Sequence, residues 1–183
     1  MGAYNEVMSM YPARVKGRLT GDELIINCGE PTGLQVKDFW SWSSSELLGN
    51  ALKGKLAEYL VSVDLGCKSD VREEWDAYDL VTCDGVTVEV KSASYLQSWE
   101  QESLSNISFG IRPTRGWDCE LLRRSETPHR QADYYVFCVL SHTEMNTVDP
   151  LALDQWDFYV LPTKILNVQV REQKTISLTF RAT

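Results

Sequence analysis

The sequence predicts a single mixed α/β domain, and three observations carry that expectation. Leu48, Leu52, Leu56, Tyr59 and Val63 recur at spacings of three and four, which marks an amphipathic helix over residues 44–63. Asp84-Gly85 separates two short strand-like runs, 77–83 and 86–92, and this dipeptide favours a type I′ hairpin. Tyr134–Leu140 is an unbroken apolar run, as expected of an interior strand covered on both faces.

The remaining elements follow in order. Residues 1–43 hold strand-like stretches at 14–19 and 23–28, broken by Gly17, Gly21, Gly29, Pro31 and Gly33, and read as a β-rich lead-in. Ser43, Ser44 and Ser45 supply N-cap oxygens for the helix, and Gly66 stops it. A second helix face runs Leu47, Ala51, Gly54, Glu58, with small residues that let a sheet approach. A short polar helix is expected over 95–106, a strand over 107–111, then an arginine-rich loop. Strands at 156–161 and 175–180 and a weak helix at 163–168 complete the pattern. With no repeat or linker, one domain spans 1–183: a core at about 44–140, the lead-in, and C-terminal strands over 141–183 that complete the sheet.

Composition narrows the function classes. The chain has 183 residues, 43% of them hydrophobic, and at this length roughly two-thirds of the unfolded surface can be buried without a disulfide or structural metal. Glu6 and Pro12 interrupt any secretion-type apolar stretch, and no run approaches a membrane span, so a soluble, cytoplasmic protein is expected with no membrane partner. Five cysteines without a CxxC pair and two histidines argue against a zinc site or a disulfide framework. The net charge of -8 disfavours a protein that coats nucleic acid. Residues 112–130 run the other way, with Arg112, Arg115, Arg123, Arg124 and Arg130 beside His129. Arginine forks suit phosphate oxygens, so these five are candidate nucleic-acid contacts, and a solvated charged loop is the plain alternative. Trp40, Trp42, Trp75 and Trp99 fit core or interface positions better than base stacking.

The stretch with chemical content runs from Asp79 to Lys91. In a strand over 86–91, period two places Thr87, Glu89 and Lys91 on one face. The turn folds the preceding strand back and brings Asp79 beside Glu89 at the open end of the hairpin. Two close carboxylates in a partly desolvated cleft repel, and a divalent cation relieves that cost. Oxygen ligands suit Mg²⁺ or Mn²⁺. Such an ion can generate a hydroxide and neutralise a phosphodiester, and a neighbouring lysine can orient the water. A second acidic-x-Lys triplet, Glu172-Gln173-Lys174, lies in a polar run without strand alternation or an upstream Asp-Gly.

A helix carrying Gly54-Lys55-Leu56-Ala57-Glu58, then Asp79, then Glu89-Val90-Lys91, resembles the PD-(D/E)XK nuclease superfamily, with Tyr78 where the name implies proline. The resemblance covers residues 44–139. It implies a restriction-endonuclease-like αβββαβ core with a mixed central sheet flanked by helices. It also implies Asp79 and Glu89 as metal ligands, with the Val90 carbonyl contributing, Lys91 as the catalytic lysine, and Glu58 as an outer metal ligand. Gln97 and Gln101 stand where the RecB-like branch places a Gln and a Tyr, and are candidates for contact with a metal-bound water or the DNA backbone.

The expected activity is Mg²⁺-dependent or Mn²⁺-dependent hydrolysis of DNA phosphodiesters, in restriction, repair or phage defence. RNA stays open as a substrate, and a homodimer follows from the symmetry of double-strand cutting. A non-catalytic member of the same fold, binding nucleic acid or protein, is the alternative. For Asp79, Glu89 and Lys91 the plain reading is a cross-strand salt bridge worth at most about 1 kcal/mol.

Overall fold

The structure is a computed structural model that describes residues 17–67, 71–72, 77–118, 123–124, 127–171 and 173–178. It begins with a hairpin of β1 (Leu24–Asn27) and β2 (Glu30–Gln35). Its two-residue loop, Cys28-Gly29, has φ of 51° and 89°, the paired positive values of a type I′ turn. A helix the sequence reading did not anticipate follows directly: α1 (Val36–Ser44). Asp38 starts it by accepting the Gln35 N–H at 2.7 Å. Ser45 then bonds back to the Ser41 carbonyl at 2.5 Å, so the serines expected to open one long helix instead close a shorter one.

The next helix, α2 (Asn50–Asp64), starts behind Gly49. Its buried row is Lys53, Ala57 and Val61, whereas Tyr59 and Val63, expected on the buried face, are exposed. Gly54 faces Ser92, where a Cβ would meet the hydroxyl at 3.8 Å. Next come β3 (Leu80–Val81) and β4 (Thr87–Ser94), antiparallel with Leu80 opposite Val88. The loop between them differs from the expected type I′ turn. Thr82 N–H reaches the Val86 carbonyl at 2.9 Å and Gly85 N–H the Thr82 carbonyl at 3.0 Å. Only Gly85, at 80°, has a positive φ in this loop. Cys83, Asp84 and Gly85 therefore form a three-residue loop with a glycine bulge, because Asp84 keeps the ordinary backbone region.

After β4 the expected polar helix over 95–106 is absent, replaced by a turn. Gln97 N–H donates to Gln101 Oε1 at 2.7 Å. The Gln101 amide nitrogen donates to the Tyr95 carbonyl at 3.2 Å and to Ser105 Oγ at 3.0 Å. Side chains that bond to nearby backbone compete with helix formation. The connection continues through β5 (Ser108–Gly110), β6 (Trp117–Asp118) and β7 (Arg123–Arg124) before β8 (Tyr134–Leu140), which has the bounds its apolar run suggested. β9 (Trp156–Pro162), α3 (Thr163–Val170) and β10 (Thr175–Ser177) follow.

The central sheet has the order β3-β4-β8-β9. β4 and β8 are parallel, with Glu89 opposite Tyr135 and Lys91 opposite Phe137; β8 and β9 are antiparallel. Of the C-terminal strands only β9 joins this sheet, while β10 pairs with β5 in a separate ribbon. Asp133 and Thr87 lock the parallel register. The Asp133 carboxylate accepts from the Thr87 N–H at 3.0 Å and its hydroxyl at 2.9 Å, and these bonds hold the Asp133 pKa below its ordinary value.

The core lies on both faces of the sheet. On one, Ala57 and Val61 of α2 meet Val88, Val90, Val136, Cys138 and Leu140. On the other, Tyr135, Phe137 and Val139 pack with Ile107, Phe109 and Ile111 and with Leu166 and Val170 of α3. The result is a mixed α/β domain with a mixed central sheet flanked by helices. No helix among the described residues is long and apolar enough to cross a membrane. Of the core and interface roles expected for the tryptophans, Trp42, 84% exposed on an α1 that buries no residue, and Trp99, 55% exposed, do not take the core one. Trp75 lies outside the described residues.

Candidate functional site

The site forms where β3 and β4 begin to separate. With Leu80 opposite Val88, one further step brings Asp79 level with Glu89, and the Asp79 N–H donates to the Val88 carbonyl at 3.1 Å. The Asp79 carboxylate turns back to accept the Val90 N–H at 2.8 Å. Two residues along β4, the Lys91 ammonium is ion-paired with the Glu89 carboxylate, as period two on one strand face allows. Glu58, in the middle of α2, is held by Arg72: the guanidinium Nε bonds to one carboxylate oxygen and Nη2 to the other at 3.1 Å.

The electrostatics single out Asp79. Burial first, then the Glu89 carboxylate, and more weakly Glu58, push its pKa up to about 6, against the Val90 hydrogen bond and Lys91, which pull it down. Three carboxylates thus lie within electrostatic reach, and among the described residues two of them carry a cation and the third is bonded only to a backbone N–H. Tyr135, level with Glu89 on β8, adds a buried hydroxyl. Burial and then the Glu89 charge raise its pKa to about 12, so it stays protonated beside the carboxylates.

The donor chemistry fits a hard divalent cation. Asp79 and Glu89 with the Val90 carbonyl would hold it, with Glu58 beyond, and its charge would remove the repulsion that raises Asp79. In the present rotamers Arg72 and Lys91 occupy two of the carboxylates, and among the described residues no three His, Cys, Asp or Glu side chains are gathered as a ready ligand group.

The other sequence candidates are dispersed. Gln97 is buried and Gln101 half-buried, with both amides turned into the 94–105 turn; Gln97 Nε2 donates to the Ser94 carbonyl at 3.0 Å. Arg112 and Arg115 are exposed. Arg123 and Arg124 form β7, and their side chains lie outside the described residues. Arg130 is 7% exposed and points inward. Its Nε reaches the Ile111 carbonyl at 2.8 Å, Nη1 reaches Asn167 Oδ1 at 2.6 Å, and Nη2 reaches the Gln173 carbonyl at 3.0 Å. Its donors are spent tying β5, α3 and the approach to β10 together. Arg130→Ala is therefore expected to lower folding stability by about 2–4 kcal/mol, because buried acceptors lose a charged donor; a urea midpoint within about 0.5 kcal/mol of wild type would refute this.

Besides Tyr135, two polar groups escaped the sequence reading. Arg72 sits in a charged stretch without periodicity, and nothing local links it to Glu58. Lys53 is 1% exposed. Its ammonium donates to Asn50 Oδ1 at 3.1 Å and Ser94 Oγ at 2.5 Å, and burial lowers its pKa to about 8. The interruption of an apolar helix face by lysine was its one available signal.

A mixed α/β domain that gathers carboxylates and a lysine where its central hairpin opens has the makings of an enzyme acting on a charged substrate by acid, base and cation chemistry. The comparison with known families is specific. Residues 36–179 match the family model for bacteriophage T4 endonuclease IV. That span is most of the chain and contains Glu58, Asp79, Glu89 and Lys91; the chain belongs to this family of nucleases. No individually curated protein matches it.

Proposed function

We propose that this protein is a metal-dependent endonuclease of the PD-(D/E)XK type that hydrolyses DNA phosphodiesters. The observation that carries the reading is the convergence of Asp79, Glu89 and Lys91 at the mouth of the β3–β4 hairpin, with the Asp79 pKa raised by burial and its carboxylate neighbours. Family membership supports nuclease chemistry and the endonuclease assignment.

In this reading Asp79, Glu89 and the Val90 carbonyl hold Mg²⁺ or Mn²⁺, which supplies Lewis acidity and lowers the pKa of water. Lys91 orients the attacking water and steadies charge on the phosphate oxygens. Glu58 adds negative charge behind the ligands. The Tyr135 hydroxyl stays protonated and lies level with Glu89 on the neighbouring strand. Exposed Arg112 and Arg115 are the remaining described phosphate contacts from the arginine-rich segment.

The test is incubation of supercoiled, linear and single-stranded DNA with the protein in Mg²⁺, Mn²⁺ or EDTA. Cutting of closed circles in metal and none in EDTA is the expected result; equal cutting in EDTA would remove metal dependence. The non-catalytic alternative draws on one feature, that Glu58 and Glu89 are already ion-paired. It predicts DNA binding without cleavage and no saturable Mn²⁺ binding.

A further inference from the structure

We infer that Arg72 is an internal competitor for the metal position: its guanidinium holds Glu58 in the metal-free protein, and Glu58 becomes a ligand only when that fork is displaced. This rests on the metal-dependent reading above. Both oxygens of Glu58 are taken by the fork, one by Nε and the other by Nη2 at 3.1 Å. The Glu58 side chain is 14% exposed and that of Arg72 40%, so the carboxylate is fixed within the protein and the cation lies on its solvent side. A paired, forked contact of this kind is stronger than a single surface ion pair.

The rest of the cluster explains why the competition matters. Glu89 has its own cation in Lys91, one alternation away on the same strand. Among the described residues, the Asp79 carboxylate has only the Val90 N–H as a hydrogen-bond donor, and both Glu89 and Glu58 push its pKa upward. Two side-chain cations among the described residues thus meet these three carboxylates. A divalent ion on Asp79 and Glu89 leaves the Arg72–Glu58 pair intact, whereas an ion that also draws on Glu58 must break it. Because α2 fixes Glu58 and the arginine approaches from solvent, the arginine is the partner that leaves. The free protein then holds metal less tightly than its carboxylates alone would.

Mn²⁺ alone, titrated calorimetrically into metal-stripped wild type, Arg72→Gln and Arg72→Lys, tests this, with urea unfolding measured alongside. Arg72→Gln is expected to bind Mn²⁺ about 3- to 10-fold more tightly than wild type. Arg72→Lys should fall between, since an ammonium keeps the charge and loses the fork. Adding Glu58→Gln to Arg72→Gln should abolish the gain. Equal or weaker Mn²⁺ affinity in Arg72→Gln overturns the inference, and so does a loss of stability without tighter binding, the mark of a purely structural pair. If no variant binds Mn²⁺ saturably, the metal-dependent reading falls and takes this inference with it. Equal saturable binding removes the role of Arg72 alone.

Discussion

Lys91→Ala is expected to lower the rate of DNA cleavage by about 10²- to 10⁴-fold while leaving DNA affinity and folding nearly unchanged. The large effect follows from position. Lys91 is the ammonium of the hairpin mouth, on the same strand face as Glu89 and ion-paired to it, and no second lysine is ion-paired to Glu89 or Glu58 among the described residues. The small effect on folding follows from exposure. With its side chain 32% exposed, the pair resembles a surface ion pair, whose loss costs at most about 1 kcal/mol. Lys91→Arg keeps the charge but replaces a compact ammonium with a planar fork, and should recover little of the rate. Cleavage at the wild-type rate by Lys91→Ala, in a preparation free of contaminating nuclease, would remove Lys91 from the chemistry.

The elements legible in the sequence are those with a local physical signature. β8 was readable to the residue because its apolar run is covered on both faces and its neighbours are not apolar. The hairpin was readable from Asp84-Gly85, although the glycine serves a bulged loop, and the type I′ turn occurs instead at Cys28-Gly29, a dipeptide with a weaker signal. α1 does place Val36, Phe39 and Trp40 at helical spacing, but the helix is short and buries none of them, so its apolar stripe is too brief to stand out from the surrounding strand-like run. The expected helix over 95–106 failed for the opposite reason: its glutamines and serines satisfy nearby backbone, a preference that helix-like spacing does not register.

The site divides along the same line. The placement of Asp79 beside Glu89 needs only period two and a turn, both local properties. Tyr135 joins them through the parallel register of β4 and β8, which spans a long connection and leaves no trace in either segment alone. Arg72 and Glu58 meet across 14 residues through a segment without periodicity. Arg130 illustrates the converse error. A run of arginines resembles a phosphate-binding patch, yet the last of them is consumed by carbonyls inside the fold, and composition does not distinguish the two uses.

Asp79→Asn is expected to abolish saturable Mn²⁺ binding and cleavage, and at the same time to stabilise the metal-free protein at pH 7.5. The sign follows from the raised pKa. The native state holds the Asp79 proton up to about pH 6, whereas a carboxyl at its ordinary value of 3.8 has released it. Stability attributable to this group is therefore fully present below pH 4, declines as pH rises from about 4 to 6, and stays at the lower value above. A shift of this size corresponds to at most about 3 kcal/mol, and partial solvent access reduces the expected gain to about 1–2 kcal/mol. Asparagine is the isosteric neutral form, and its side-chain oxygen still accepts the Val90 N–H. Urea unfolding in EDTA should therefore place Asp79→Asn above wild type at pH 7.5 and level with it at pH 4. Saturating Mn²⁺ should reverse the order at pH 7.5, because only wild type gains binding free energy on folding. A variant less stable than wild type at pH 7.5 in EDTA would mean that Asp79 is held by favourable contacts and is not repelled by its neighbours. An Mn²⁺-induced stabilisation equal to wild type would take the cation away from Asp79 altogether. The two halves belong together: a carboxylate that weakens the empty fold and strengthens the loaded one is what a metal ligand in a partly desolvated cleft must be.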